Sequence, residues 1–132
     1  MFNMDGDNPA RILIIDDDID LLMLLERRLK QEGFEVETAA SLQEAQDIVP
    51  YFLPQIILLD INVNGDDGRV LCYELKNDPK LVPVKVMMMS GFDISQGRAI
   101  LFGADELVSK PLNMEYILLR IGEFLKQVKE IE

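Results

Sequence analysis

Five times in 132 residues a short apolar run gives way to a longer stretch with apolar residues at helical spacing. That alternation constrains the fold more than any other feature of the chain. The short runs fall at 11–15 (RILII), 35–39 (EVETA), 55–59 (QIILL), 84–89 (VKVMMM) and 106–108 (ELV). Their length and bounding punctuation fit strands, and the purest of them suit strands buried on both faces. Between them, Leu22, Leu25 and Leu29 line one face of a helix expected over about 18–32, with Gly33 at its C-terminal cap. A second helix, about 41–50, opens on Ser41 with Glu44 three residues on, a capping-box spacing. A third, about 68–77, carries Val70, Leu71 and Leu75 and stops before Pro79. The last, about 113–130, presents Ile117, Ile121, Phe124 and Val128 and has the clearest amphipathic pattern. The segment "DISQGRAILFG" (93–103) is the weakest helix former, because Gly97 costs it about 1 kcal/mol relative to alanine.

Strands alternating with helices imply an α/β domain with a parallel sheet and right-handed crossovers. Five units are too few to close an eight-stranded barrel. What remains is an open, doubly wound, five-stranded sheet with helices on both faces, a three-layer sandwich. No internal repeat or Pro- or Gly/Ser-rich linker divides the chain, so residues 10–132 are expected to form one domain behind a flexible tail, 1–9. Ligands of such sheets bind outside the carboxyl ends of the strands.

The residues that follow each strand are therefore the informative ones. Asp16, Asp17 and Asp18 follow the first, Asp60 the third, Ser90–Gly91 the fourth and Ser109–Lys110–Pro111 the fifth. The second contributes only Ala39, Ala40 and Ser41. Carboxylates crowded on one rim stay ionised together only if a cation offsets their repulsion. The chain has no histidine and one cysteine, Cys72, so zinc sites and histidine bases are excluded and hard oxygen ligands favour Mg²⁺. Lys110 and the Ser90 hydroxyl suit phosphoryl oxygens, and Asp60 suits the role of nucleophile forming an aspartyl phosphate. A net charge of −11 argues against nucleic-acid binding through this domain.

These residues carry a family resemblance. The acidic pair Asp16–Asp17, Asp60 with Gly68 eight residues later, Ser90–Gly91 and Lys110–Pro111, in this order at strand ends, resemble a response-regulator receiver domain of the CheY-like superfamily over about residues 10–130. The resemblance implies a flavodoxin-like (βα)5 fold with strand order 2-1-3-4-5. It implies that Asp60 accepts a phosphoryl group from the phosphohistidine of a sensor histidine kinase or phosphotransfer protein. It further implies direct Mg²⁺ ligation by Asp17 and Asp60, Asp16 acting through water, and Asn62 offering its backbone carbonyl. Ser90 would bond a phosphoryl oxygen and Lys110 would pair with the phosphate, while the peptide bond before Pro111 is often cis in the family. Such a domain is a signalling phosphoacceptor, not an enzyme in the ordinary sense, and is cytoplasmic.

Two positions depart from the family pattern. Asn64 stands where a proline is usual, and a loosened loop is expected there. Leu107 replaces a Tyr or Phe that reorients on activation in many members. These departures motivate an alternative, a receiver-fold interaction domain that phosphorylation does not switch. A phosphatase or flavin-binding protein on a similar sheet is disfavoured, because three acids after the first strand would repel a flavin phosphate and the phosphatase motif is incomplete. Asp18 is expected to cap the first helix, and Asp66 and Asp67 to be solvated loop acids or a cap for the third. The Met87–Met89 run is expected to fill core, and Cys72 to be a helix residue without redox duty. The kinase should dock over the rim and first helix. An output partner should meet the face of the fourth helix, fifth strand and fifth helix. No apolar run is long enough to span a membrane. The chain is expected to be either a single-domain regulator or a receiver excised from a longer protein, and the end "KQVKEIE", which continues a helix, suits the second slightly better.

Overall fold

The computed structural model describes residues 8–81, 83–91 and 102–131, with side chains described as far as residue 127. The expected tail 1–9 and the expected fourth helix thus fall almost wholly outside the described residues. Five strands form one parallel sheet: β1 (Arg11–Ile15), β2 (Glu35–Ala39), β3 (Ile56–Asp60), β4 (Lys85–Ser90) and β5 (Glu106–Ser109). Their spatial order is β2-β1-β3-β4-β5, as the family resemblance implied. Register is regular, with Ile12 opposite both Val36 and Ile56, Asp60 opposite Met89, and Ser90 opposite Ser109.

Alternation along the strands sorts the core into two layers. Leu13, Ile15, Ile57, Leu59, Val86 and Met88 pack against helices α2 (Leu42–Phe52) and α3 (Gly68–Lys76). Ile12, Ile14, Ile56, Leu58, Met87 and Met89 pack against α1 (Ile19–Gln31) and the C-terminal helix (Met114–Ile131). Both faces of the sheet are thereby covered, which is why the central strands read as unbroken apolar runs. Among the described residues no helix is long and apolar enough to cross a membrane.

The helix signals read from the sequence mostly hold. Asp18 caps α1 by accepting from the Leu21 N–H, and Gly33 takes the left-handed conformation just past its end (φ 97°). Ser41 caps α2 by accepting from the Glu44 N–H, while the Glu44 carboxylate reaches back to the Ala40 N–H. Asp67, not Asp66, caps α3, and Arg69 clasps its carboxylate from two nitrogens. That clasp holds the Asp67 carboxyl below its usual range.

Two expectations are corrected. Helix α2 does not stop at residue 50: Pro50 lies inside it, and the helix runs to Phe52 with Leu53 (φ 49°) as its C-cap. The fixed φ of proline is compatible with a helix, and at this late position it forfeits one N–H bond near an end where the chain was about to leave the helix anyway. Val70 does not join the apolar face of α3. It is exposed, and Cys72 occupies the buried position with Leu71 and Leu75. On a 3.6-residue period Leu71, Leu75 and Cys72 share an arc of about 100°, and Val70 lies about 100° outside it.

Candidate functional site

At the carboxyl rim of the sheet Asp16 follows β1, Asp60 ends β3 and Ser90 ends β4, and all three are buried, at 0%, 7% and 2% exposure. Lys110 follows β5 and returns over the same rim. Its Nζ lies 2.6 Å from Asp16 Oδ2 and 3.2 Å from Asp60 Oδ2, joining residues 94 and 50 positions apart. The Lys110 N–H donates to the Ser90 carbonyl at 2.7 Å, which fixes where the chain leaves β5. The Lys110–Pro111 peptide bond is cis. Asp16 Oδ1 accepts the Asp18 N–H at 2.9 Å, so both of its oxygens are engaged. Asp17 is exposed at the mouth of the site. Asp16, Asp17 and Asp60 each offer a carboxylate oxygen within 4.8 Å of the others.

One ammonium facing this many acids leaves the group short of positive charge. Burial first, and then the neighbouring Asp16 charge, push the Asp60 carboxyl above its usual range, against the pull of Lys110. Burial draws the Lys110 ammonium down. The hydrogen bond to Asp16 and the charges of Asp60 and Asp16 outweigh it, so Lys110 titrates above an ordinary lysine. The donor set consists of hard oxygens with no His or Cys, gathered to one point and under-neutralised. It fits a small divalent cation of the Mg²⁺ type.

Gly68 explains the spacing seen in the sequence. A Cβ built there would sit 2.1 Å from the Asp60 carbonyl oxygen, and the Gly68 N–H donates to the Ile61 carbonyl at 2.6 Å. Helix α3 therefore starts in direct backbone contact with the strand that carries Asp60, and any side chain at 68 would lever them apart.

The stretch between Asp60 and Gly68 differs from expectation. It is not loosened but forms a tight antiparallel hairpin, with Asn62 opposite Asp67 and Val63 opposite Asp66. Its two central residues, Asn64 (φ 54°) and Gly65 (φ 83°), both have positive φ, the mark of a type I′ turn. Asn64 donates its N–H to Asp17 Oδ2 at 2.9 Å and its side-chain amide to the Ala40 carbonyl at 3.1 Å. Asn62 Oδ1 accepts the Gly65 N–H at 2.9 Å. The dipeptide Asn64–Gly65 is itself the strongest short hairpin signal a sequence can carry. Reading position 64 only as a missing proline passed over it.

The residues named from the sequence thus share one rim. Asp16, Asp17, Asp60 and Lys110 come within hydrogen-bonding or ligating distance of one another. Ser90 is buried at the end of the neighbouring strand, and Asn62 opens the hairpin two residues beyond Asp60. Leu107 lies on β5 opposite Met88, half-buried and packed against the α2/α3 layer.

A doubly wound sheet with an acidic cleft and one lysine at its carboxyl rim defines a class, the open α/β domains that bind ligands at their strand ends. Within that class the chain belongs to the response regulators: the response regulator receiver domain model matches residues 12–122. It is 31% identical over 92% of its length to a probable transcriptional regulator, ycf27, of Cyanophora paradoxa, and covers 51% of that protein. The chain spans about half the length of the curated relatives it matches. Among solved structures it resembles a CheY-like receiver domain protein from Methanospirillum hungatei, with a TM-score of 0.84, 30% identity and coverage of 94% of this chain and 99% of that one. It also resembles a Burkholderia pseudomallei response regulator solved with a phosphorylated aspartic acid and a calcium ion, with a TM-score of 0.77, 26% identity and coverage of 83% of this chain and 64% of that one.

Proposed function

We propose that this receiver domain takes a phosphoryl group onto Asp60 from the phosphohistidine of a sensor kinase or phosphotransfer protein, in a Mg²⁺-dependent step. The observation that carries this reading is the convergence of Asp16, Asp17, Asp60 and Lys110 at one rim, with too little positive charge to balance it. An Asp60 oxygen forms the new bond to phosphorus, and the bond from phosphorus to the imidazole nitrogen breaks. Asp17 and Asp60 hold the ion directly. Asp16, bonded to the Asp18 N–H and to Lys110, would act through water, as the family pattern implies. The Asn62 side chain is committed to Gly65, so its contribution falls to the backbone carbonyl. When bound, Mg²⁺ neutralises the charge on the transferred group. The Ser90 hydroxyl and the Lys110 ammonium then hold phosphoryl oxygens, and Lys110 exchanges part of its contact with Asp60 for the phosphate.

The solved Burkholderia relative with phosphorylated aspartic acid and a metal ion supports the chemistry by likeness. A phosphohistidine donor is supported by family membership, as is a cytoplasmic setting. The kinase or phosphotransfer protein would dock over the rim and α1. The output partner would meet the face to which β5 and the C-terminal helix contribute; the fourth helix expected over 93–103 lies almost wholly outside the described residues. No nucleic acid is assigned to this domain, although a relative such as RpaA of Synechocystis is named a DNA-binding regulator.

The test is incubation with Mg²⁺ and acetyl phosphate followed by intact-mass measurement. One phosphoryl group is expected on the native chain and none on Asp60→Asn. Equal uptake by the variant would sink the assignment.

A further inference from the structure

The turn at Asn64–Gly65 makes a contact that a proline-bearing turn cannot. A proline ring holds φ near −65° and has no N–H, whereas Asn64 sits at φ 54° and spends its N–H on Asp17 Oδ2 at 2.9 Å. Its side chain ties the same hairpin to the Ala40 carbonyl, so the loops after β1 and β2 are both fastened to the loop after β3. Asp17 is the exposed member of the acidic group, and its neighbours Asp16 and Asp60 repel it. Without an anchor its carboxylate would favour rotamers turned out into solvent. Holding Oδ2 removes that freedom and keeps the carboxylate among its neighbours, where it offers a ligand oxygen.

We propose that Asn64 is a positioning residue for the cation: its backbone N–H fixes the Asp17 carboxylate in a ligating orientation before Mg²⁺ arrives, and so tightens Mg²⁺ binding. The inference rests on Asp17 being a metal ligand, as proposed above. Groups that orient a ligand from outside the first coordination sphere typically change metal affinity by about 10- to 100-fold. Because Asp17 is exposed and Mg²⁺ keeps several waters, the effect belongs at the low end, about tenfold. The contribution comes from the main chain. The best replacement for Asn64 is therefore a residue that keeps the N–H and tolerates positive φ.

The experiment is calorimetric titration of Mg²⁺ into the native chain, Asn64→Pro, Asn64→Gly and Asp17→Ala. Asn64→Pro is expected to weaken Mg²⁺ binding about tenfold. Asn64→Gly should stay within about twofold of native, because glycine adopts positive φ freely and retains the N–H. Native affinity in Asn64→Pro overturns the proposal. So does a loss in Asn64→Gly as large as that in Asn64→Pro, because the effect would then run through the side-chain amide to Ala40. Undiminished binding by Asp17→Ala would instead refute the metal assignment itself, a separate failure. If circular dichroism shows that Asn64→Pro does not fold, amide exchange decides the matter. The Asn64 N–H should exchange several times faster in Asp17→Ala than in the native chain, and equal rates overturn the proposal.

Discussion

The sheet carries opposite electrostatic arrangements at its two ends. At the carboxyl rim, where β1, β3 and β5 end, one lysine serves several acids: Lys110 reaches Asp16 and Asp60, with Asp17 beside them. Where β4 and β5 begin, one acid serves two lysines. Asp105 lies 2.8 Å from Lys76 Nζ and 3.6 Å from Lys85 Nζ, and it also accepts the Val86 N–H at 2.8 Å. Lys76 in turn donates to the Val84 carbonyl. Every member of that second group has a partner within the fold, and its surplus charge sits on side chains about a fifth exposed, where water reaches them. At the rim only Asp17 and Lys110 reach water. Its surplus is negative, and two of its carboxylates are buried. A group built for stability closes upon itself. The rim keeps an excess of negative charge, which the proposed Mg²⁺ would offset.

Three measurements break or sharpen this contrast. The largest effect is expected at the closed end. Asp105→Ala leaves two ammonium groups and the Val86 N–H without their acceptor, and should cost about 3 kcal/mol in urea denaturation. A loss below 1 kcal/mol would mean that the group is ornamental. Next comes the open end. Mg²⁺ at ten times its Kd should raise native stability by about 1.4 kcal/mol. It should add the same increment to Asp105→Ala, because separate sites contribute additively. Unequal increments would show that the two ends are coupled through β4 and β5.

The smallest effect is the most diagnostic. Without Mg²⁺, Asp60→Asn should stabilise the chain by about 1 kcal/mol, because it removes a buried charge that Asp16 repels. The folded Asp60 carboxyl titrates above its unfolded value, so its ionised form costs stability at neutral pH. That cost is withdrawn as pH falls through the raised value. The advantage of Asp60→Asn should therefore shrink on acidification and on addition of Mg²⁺, as thermal melts across pH can show. A destabilised Asp60→Asn would break the comparison outright.

Much of this was legible in the chain because it depends on local order. Short apolar runs announced strands buried on two faces, and Asp18 and Ser41 declared helix starts, since each cap bonds an N–H only three residues away. The rim was legible for a different reason. Parallel strands all point the same way, so whatever follows each one reaches the same edge, however far apart the residues lie in sequence. What escaped was set by contacts without a sequence period. Lys76 meets Asp105 across 29 residues, and neither residue stands at a strand's carboxyl end. The bond from Asn64 to Asp17 spans 47 residues and is made by the main chain, which no side-chain pattern encodes. Val70 is exposed because it lies outside the arc that Leu71, Cys72 and Leu75 share, a distinction that its hydrophobicity does not make.

The three consecutive methionines of β4 have a use beyond filling space. Because strand residues alternate, Met88 lies in one half of the interior and Met87 and Met89 in the other. Met89 also pairs with Asp60 in the sheet and accepts the Ile61 N–H. Isotope labelling of their terminal methyl groups would give nuclear magnetic resonance three native reporters on a single strand. One spectrum would then register whether an event at the phosphoacceptor is felt beneath α2 and α3, beneath α1 and the C-terminal helix, or on both sides at once.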